Sequence, residues 1–166
     1  MDFTIRAVRL EEYEALGELT AGTYLNDGLL QHGAEDFYLE VLRDTARRAR
    51  ESEVLVAEDA EGTLLGGVTF ATGDTPWADI AVAGEAEFRM LAVAREARGR
   101  GVGEALVRAC VDRARALPGS ERIVLSTDVR MLSAHRIYER LGFVRTPHRD
   151  WEPTPGLLLL TYALEF

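Results

Sequence analysis

The chain has 166 residues, of which 47% are hydrophobic, so it is long enough and apolar enough to bury a sizeable core. Its net charge of −9 argues against a general nucleic-acid binder, which would normally be basic, and mildly favours cationic partners. The single cysteine excludes an intrachain disulfide, and because neither a signal peptide nor a membrane-spanning apolar run is recognisable, we expect a cytoplasmic protein.

Two helices are predicted to follow a short N-terminal strand. Residues 3–7 alternate apolar and polar side chains, which is typical of a strand with one buried face. Helical spacing of apolar residues then marks 10–25 and 34–51. The inward side chains of the first helix are predicted to be Tyr13, Leu16, Leu19 and Thr23. In the second helix we expect Phe37, Val41 and Leu42 to face inward and the arginines to face solvent, namely Arg43, Arg47, Arg48 and Arg50.

A hairpin and a central strand are predicted next. Residues 53–58 and 64–71 indicate two strands, and Gly62 in the turn between them favours antiparallel pairing. A polar connection over 73–84 leads to a strand over 86–93. Alternation along this strand predicts that one face carries Phe88, Met90 and Ala92 and the other carries Glu87, Arg89, Leu91 and Val93.

The second half of the chain alternates between helices and strands. The predicted elements are a helix from Gly101 to Pro118, a strand over 123–127, a helix over 133–141, a strand over 143–145 and a strand over 157–166. The order β-α-α-β-β-β-α-β-α-β-β predicts an α/β fold with a mixed central sheet and helices on both of its faces. We expect one domain over residues 1–166, since no linker or internal repeat is visible.

A glycine-rich loop joins the central strand to the helix that follows it. Gly99, Gly101 and Gly103 would let the backbone approach a ligand, and the first N–H groups of the helix have no intrahelical partner. Arg98 and Arg100 add positive charge at the rim. This pattern favours a phosphate or pyrophosphate ligand, and the alternative is a turn that binds nothing. The spacing matches neither a Walker loop nor the dinucleotide fingerprint GxGxxG.

Two motifs resemble one known family. Residues 98–103 have the spacing R-x-x-G-x-G, and the segment 90–106 resembles the coenzyme A pyrophosphate loop of the GNAT superfamily of acetyl-CoA-dependent N-acetyltransferases. Residues 134–143 resemble the downstream motif of that family, A-x-x-[LI]-Y-x-x-x-G-F. The family often carries asparagine seven residues before the tyrosine, whereas this chain has Met131, so the polar contact of that asparagine is not expected here.

The resemblance implies how acetyl-CoA would bind as co-substrate. The family has a sheet of about seven strands whose two middle strands part to admit the pantetheine arm. Backbone groups of Leu91 and Val93 would pair with pantetheine like an added strand, and an amide there would polarise the thioester carbonyl and stabilise its oxyanion. The residues predicted to bind the coenzyme are Leu91, Ala92, Val93, Arg98, Gly99, Arg100, Gly101, Val102 and Gly103.

Two side chains are predicted to carry the proton transfers. Tyr138, the tyrosine of the downstream motif, would protonate the leaving thiolate, since its ordinary pKa of about 10 keeps it protonated at neutral pH. The alternative is a core ring with a locally satisfied hydroxyl. Glu87 would take a proton from the amine, directly or through water; alternatively it is an exposed strand residue or a partner of Arg89. Asp128 is the second candidate for the base.

We therefore predict transfer of an acetyl group from acetyl-CoA to a primary amine by direct attack, with no metal and no covalent enzyme intermediate. Cys110 is expected to be a small core residue, and the three histidines have no metal-ligand spacing. A non-catalytic acyl-CoA sensor or interaction module on the same fold is the alternative. A third possibility, an unrelated phosphate-binding α/β protein, is disfavoured by the second motif.

The sequence leaves the acceptor open between a small-molecule amine and a peptide amine. The resemblance implies that the acceptor is selected by the loops over 23–35 and 147–156, and the acidic composition leans toward a cationic small molecule. No nucleic-acid or membrane partner is expected, and a homodimer is left open. Residues that could line the acceptor site, or equally pack in the core or on the surface, are Tyr24, Asp27, His32, Asp150 and Trp151.

Overall fold

Seven strands form one mixed sheet in the computed structural model, which describes residues 2–166. The strands are β1 (Phe3–Ala7), β2 (Glu53–Asp59), β3 (Leu64–Thr72), β4 (Glu85–Val93), β5 (Arg122–Asp128), β6 (Val144–Arg145) and β7 (Leu159–Glu165). Their spatial order is β1-β2-β3-β4-β5-β7-β6; β4 and β5 are parallel, and the other described neighbours are antiparallel. The predicted mixed sheet of about seven strands is confirmed.

Helices cover both faces of the sheet, as predicted. They are α1 (Tyr13–Asn26), α2 (Tyr38–Arg43), α3 (Thr45–Glu51), α4 (Val102–Ala116) and α5 (Leu132–Arg140). Helices α4 and α5 contribute to the main core, which contains Leu106 and Tyr138. Helices α1 and α2 pack on the opposite face, where Leu42 and Met90 are buried together. No helix within residues 2–166 combines the length and the apolarity that a bilayer crossing requires.

The helix predicted over 34–51 is two helices, because the backbone breaks at Asp44. This residue ends α2, and its side chain accepts a hydrogen bond from a first-turn N–H of α3 at 3.1 Å. Arg48, predicted to face solvent, is 1% exposed. It donates to the carbonyl oxygens of Val41 and Leu42, at 2.9 and 2.8 Å. Both carbonyl groups belong to the last turn of α2. The prediction for Arg48 was wrong because the break turns this arginine back onto the end of the preceding helix.

The inward faces of the first two helices differ in part from the prediction, which is confirmed for Leu16 and Leu42. Helix α1 buries a stripe rotated from the predicted one: Leu16, Gly17, Thr20 and Ala21. A Cβ at Gly17 would lie 2.3 Å from the carbonyl oxygen of Arg43, so the glycine permits close packing of α1 against α2. Phe37 precedes α2 and is 75% exposed, whereas Leu39 and Leu42 are buried.

A bulge in β4 reverses the side-chain alternation of the central strand. Between the pairs made by Gly67 and Thr69, two residues of β4 oppose one residue of β3. Met90 lies in this bulge with φ of 56°, a region that non-glycine residues rarely adopt. Phe88 and Leu91 therefore pack on the main core, and Met90 packs on the opposite face. The prediction that Phe88 and Met90 share a face was wrong because of this extra residue.

The two middle strands part, as the family resemblance implied. The pairing of β4 with β5 runs for three residue pairs, and its last pair is Glu87 with Val124. Both strands continue beyond that pair, β4 along β3 and β5 along β7. A wedge-shaped gap therefore opens between residues 88–93 of β4 and residues 125–128 of β5. We call this gap the cleft; Glu87 lies at its apex.

Candidate active site

The glycine-rich loop forms the N-terminus of α4, just after the strand that borders the cleft. Gly99 and Gly101 have φ of 80° and 82°, and Gly101 is the residue that precedes the first turn of α4. A Cβ at either glycine would meet no described heavy atom within 4 Å, so the loop is open on that side. Within residues 2–166, the N–H groups of residues 102–104 have no hydrogen-bond acceptor. Together with the helix dipole, they form a site suited to an anion.

Each of the two arginines of this loop makes an ion pair. Arg98 Nη2 lies 2.8 Å from Asp27 Oδ2, and Arg100 Nη2 lies 2.7 Å from Asp2 Oδ2. Asp27 belongs to the turn that ends α1, so the predicted coenzyme loop contacts the predicted acceptor loop. Arg98 and Asp27 have side chains 44% and 31% exposed, so this pair is partly solvated and an anionic ligand can compete with the carboxylate.

The edge of β4 that borders the cleft offers backbone groups for an extended ligand. The N–H of Ala94 donates to the carbonyl oxygen of Leu65 on β3 at 2.8 Å. Because successive N–H groups along a strand point to opposite edges, those of Val93 and Leu91 point toward the cleft. A ligand lying in the cleft can therefore pair with β4 as an added strand would.

Tyr138 reaches the cleft from the α5 side of the sheet. The residue is 3% exposed, and its ring centroid lies 5.7 Å from that of Phe88, 6.0 Å from that of Phe143 and 5.7 Å from that of Tyr162. Burial raises the pKa of Tyr138 above its ordinary value, while a hydrogen bond with the Thr127 side chain opposes the rise. Phe88 and Thr127 belong to the two strands that border the cleft, so the tyrosine lies between them.

Glu87 lies at the apex of the cleft on the opposite face of the sheet from Phe88 and Tyr138. It is 0% exposed, and its Oε1 accepts hydrogen bonds from the N–H groups of Ile80 and Ala81 at 2.9 and 3.0 Å. Its Oε2 has no partner among the described residues. Burial raises the pKa of Glu87 to about 7, and the two N–H hydrogen bonds oppose that rise. The alternative of an exposed strand residue was therefore wrong.

Arg89 follows Glu87 on the same face and binds the connection between β3 and β4. Its guanidinium donates to the carbonyl oxygen of Trp77 and to the hydroxyl of Tyr38, both at 3.0 Å, and lies 3.1 Å from a carboxylate oxygen of Asp79. Within residues 2–166 it makes no ion pair with Glu87. Sequence reasoning missed Trp77 and Asp79 because this connection carries no recognisable motif; a tryptophan within a polar segment was the available signal.

Asp128, the second candidate for the base, is held in an ion pair. Arg130 donates to both carboxylate oxygens, at 2.8 and 2.7 Å, and its backbone N–H adds a bond of 2.9 Å. These bonds hold the pKa of Asp128 below its usual value, which makes it a weaker proton acceptor than Glu87. Met131, at the position of the usual asparagine, precedes α5, and its sulfur lies 3.8 Å from the Thr127 hydroxyl.

The two loops predicted to select the acceptor contact each other. Gln31 Nε2 donates to the carbonyl oxygen of Pro155 at 3.0 Å, and the hydroxyl of Thr154 donates to Gln31 Oε1 at 2.6 Å. Tyr24 is on α1, and its ring centroid is 6.4 Å from that of Tyr38. This contact brings the segment after α1 and the segment before β7 to the same end of the molecule.

The other predicted lining residues have different surroundings. Trp151 donates its indole N–H to the hydroxyl of Ser126 at 3.0 Å, on the Glu87 face of β5. His32 is exposed. Asp150 accepts two hydrogen bonds from Arg145, both at 2.8 Å, and this pairing lowers its pKa to about 2. We therefore infer that Asp150 holds its own loop in place.

Two further kinds of site, a reactive cysteine and a metal centre, were considered for the described residues. Cys110 is fully buried in α4 and its pKa is raised by burial, so the predicted core role is confirmed. Within residues 2–166, no three His, Cys, Asp or Glu side chains converge in a way that could hold a metal ion.

Comparisons with known proteins point to one family. Residues 14–143 match the model of the acetyltransferase (GNAT) family, and no curated protein sequence matches the chain. A GNAT-family acetyltransferase from Staphylococcus aureus Mu50 has a similar structure, with a TM-score of 0.76, 15% identity and 98% of each chain covered. A phosphinothricin acetyltransferase from Sinorhizobium meliloti, in complex with AcCoA, has a TM-score of 0.74 and 18% identity, with 100% of this chain and 89% of that chain covered. Spermidine N-acetyltransferase from Vibrio cholerae, in complex with CoA and spermine, has a TM-score of 0.69 and 21% identity, with 99% of this chain and 95% of that chain covered.

Proposed function

Because the chain belongs to the acetyltransferase (GNAT) family, we propose that it transfers an acetyl group from acetyl-CoA to a primary amine, within one domain spanning residues 1–166. The observation that carries this proposal is the junction of β4 with α4. There, an open strand edge and a glycine-rich helix N-terminus follow one another beside the cleft. A strand edge suits the amides of pantetheine, and a helix N-terminus suits a pyrophosphate.

The residues at this junction fit acetyl-CoA by the chemistry of their donors. The free N–H groups of residues 102–104 would hold the pyrophosphate, with Arg98 and Arg100 at the rim. The N–H groups of Leu91 and Val93 would pair with the pantetheine arm along the cleft. When bound, acetyl-CoA supplies the acetyl group as a thioester whose sulfur is the leaving atom.

Glu87 is the proposed general base. A base works best when its pKa lies near the working pH, and the pKa of Glu87 is raised to about 7 by burial. Its Oε2 is free of partners within residues 2–166 and can accept a proton from the amine, directly or through a water molecule. Tyr138 is the proposed general acid, because its raised pKa keeps the proton on its hydroxyl until the sulfur departs.

A cationic small molecule is the proposed acceptor class, with a peptide amine as the alternative. Asp79 forms an ion pair with Arg89 on the face of β4 that carries Glu87, and the carboxyl of Glu87 lies beside that pair. The carboxyl of Glu87 would receive an ammonium group, and the net charge of −9 on the whole chain favours a cationic acceptor.

The test is a panel of primary amines, including polyamines, amino acids and peptides, with acetyl-CoA, monitoring release of free thiol. Turnover with at least one amine is the expected result. Tight binding of acetyl-CoA without thiol release for any amine in the panel would instead support the acyl-CoA sensor.

Gly101→Asp is the matching binding test. The variant places a carboxylate where the pyrophosphate is proposed to lie, so calorimetry should show acetyl-CoA binding weakened by at least about 10²-fold. Gly119→Asp is the control, because Gly119 has a similar φ of 77° and equally open surroundings at the other end of α4. Equal affinity of a folded Gly101→Asp protein and the parent would remove the loop from the coenzyme site.

A further inference from the structure

The segment that binds Glu87 is itself held by an arginine from a distant part of the chain. Residues 80–82 precede β4, and two of their N–H groups donate to Oε1 of Glu87. Arg149, in the turn after β6, donates through Nη2 to the carbonyl oxygen of Ile80 at 2.9 Å. Arg149 thus holds the peptide that presents the donors to Glu87, although it is 62 positions further along the chain than that glutamate.

A buried carboxylate, that of Glu85, holds the guanidinium of Arg149 in place. This guanidinium binds both oxygens of Glu85, at 3.0 and 2.9 Å, and the side chain of Glu85 is 2% exposed. Glu85 Oε1 also accepts the N–H of Val82 at 3.1 Å, so both ends of the segment are tied to one ion pair. A second arginine, Arg122, lies 2.9 Å from Glu85 but bonds no atom of residues 80–82 among the described hydrogen bonds.

We propose that Arg149 is a positioning residue for the acetyl transfer: it fixes the segment 80–82 so that Oε1 of Glu87 is held by two N–H groups and Oε2 is left to take the proton of the acceptor. This inference rests on the proposed role of Glu87 as the base. It assigns part of the loop between β6 and β7 to the support of the base, in addition to any contact of that loop with the acceptor.

The consequence is a change in the pH at which the base works. The charged groups that face Glu87 are Asp79 on the preceding segment and Arg89 on β4, with the hydroxyl of Tyr38 on α2 next to Arg89. Neither charged group is a partner of Arg149. The two N–H hydrogen bonds favour the ionised carboxylate, so their loss raises the pKa of Glu87 further. Since the base must be deprotonated, the acid limb of activity then moves to higher pH.

The test compares pH profiles of kcat/KM for variants of the two arginines that bind Glu85. Arg149→Met should move the acid limb up by about one pH unit, with activity partly restored at alkaline pH and coenzyme affinity unchanged. Arg149→Lys keeps the charge beside Glu85 but lacks the fork that reaches both Glu85 and Ile80, so an intermediate shift is expected. Arg122→Met removes an ion pair to the same glutamate and should lower the melting temperature without moving the limb.

Glu87→Gln separates failure of this inference from failure of the proposed function. If Glu87→Gln keeps parent-like turnover and the parent's pH profile, Glu87 is not the base and the proposed mechanism fails. If Glu87→Gln loses turnover while a folded Arg149→Met protein keeps the parent's acid limb, the positioning role is overturned. Should Arg149→Met fail to fold, as judged by its melting curve, the shift in Arg149→Lys decides, and an unmoved limb there overturns the inference.

Discussion

Burial raises the pKa of two residues of the candidate site, Glu87 and Tyr138, and the consequences differ. For Glu87 it raises the pKa of a carboxyl from 4.5 to about 7, where the group can both hold and release a proton at neutral pH. For Tyr138 it raises a pKa that already lies above neutrality, so the hydroxyl stays protonated. The two residues lie on opposite faces of the sheet beside one cleft, and their different pKa values suit the proposed roles of base and acid.

Replacing Tyr138 with phenylalanine tests the acid at the level of one atom. The ring would still pack between Phe88, Phe143 and Tyr162, but no proton would be available for the leaving sulfur. Steady-state turnover with an accepted amine should fall by about 10²-fold or more, while coenzyme affinity changes little.

Tyr162→Phe is the control for that experiment. Tyr162 is equally buried in the same aromatic cluster, and its hydroxyl donates to Glu139 at 3.2 Å rather than lying beside Thr127. Its loss should lower stability by about 1 kcal/mol and leave turnover near that of the parent. If folded Tyr138→Phe also turns over like the parent, Tyr138 is a packing residue only.

At the scale of secondary structure, the features set by local pattern were predictable and those set by distant contacts were not. The strand, loop and helix around Gly101 follow from glycine spacing and a change of apolar period, and the structure has them there. The bulge at Met90 leaves no mark in an alternating sequence, because it depends on how β3 pairs with β4. Arg48 looked like a surface residue since its burial depends on the break at Asp44.

The same distinction applies to the candidate site. Glu87 and Tyr138 could be proposed from the sequence because one lies on a strand before a recognisable loop and the other lies within a motif. Arg149 could not be found, since its role depends on a loop folding back onto the segment before β4. Contacts between segments far apart in the sequence, such as that of Arg149 with Ile80, carry no local signature.

The pair formed by Arg98 and Asp27 predicts coupling between the turn after α1 and the coenzyme loop. The carboxylate of Asp27 lies 2.8 Å from the guanidinium that is proposed to face the pyrophosphate, so it competes with that anion. Asp27→Asn should therefore tighten acetyl-CoA binding by at least about twofold at low salt, and less at high salt. Calorimetry at two ionic strengths measures both effects.

Glu35→Gln is the matched control for Asp27→Asn. It removes the same charge from the same predicted acceptor loop, and Glu35 is exposed and makes no ion pair within residues 2–166. Its coenzyme affinity should stay at the parent value. Weaker binding in Asp27→Asn would show instead that the carboxylate orients Arg98 for the ligand.

For the whole molecule, titration of buried and paired carboxyls gives stability a dependence on pH with two opposing parts. Asp150 has its pKa lowered from 3.8 to about 2 by Arg145, so the stability it contributes is present above 3.8 and is lost as the pH falls toward 2. Glu12, Glu104 and Asp128 have lowered pKa values for similar reasons and act in the same direction. Loss of these pairs as the pH falls therefore promotes acid unfolding.

Glu87 acts in the other direction and gives the last prediction. Its pKa is 4.5 in the unfolded chain and about 7 in the folded one. The contribution of Glu87 to the free energy of unfolding is therefore fully present below pH 4.5 and is lost as the pH rises through 7, by about 3 kcal/mol in total. The net charge of −9 adds self-repulsion over the same range. The melting temperature should therefore peak at about pH 5 and fall toward pH 8.

Glu87→Gln should flatten the fall in melting temperature between pH 5 and pH 8, because the amide does not titrate. A melting curve series in which both proteins fall with the same slope would mean that Glu87 does not hold a raised pKa, and would remove the electrostatic argument for its role as the base.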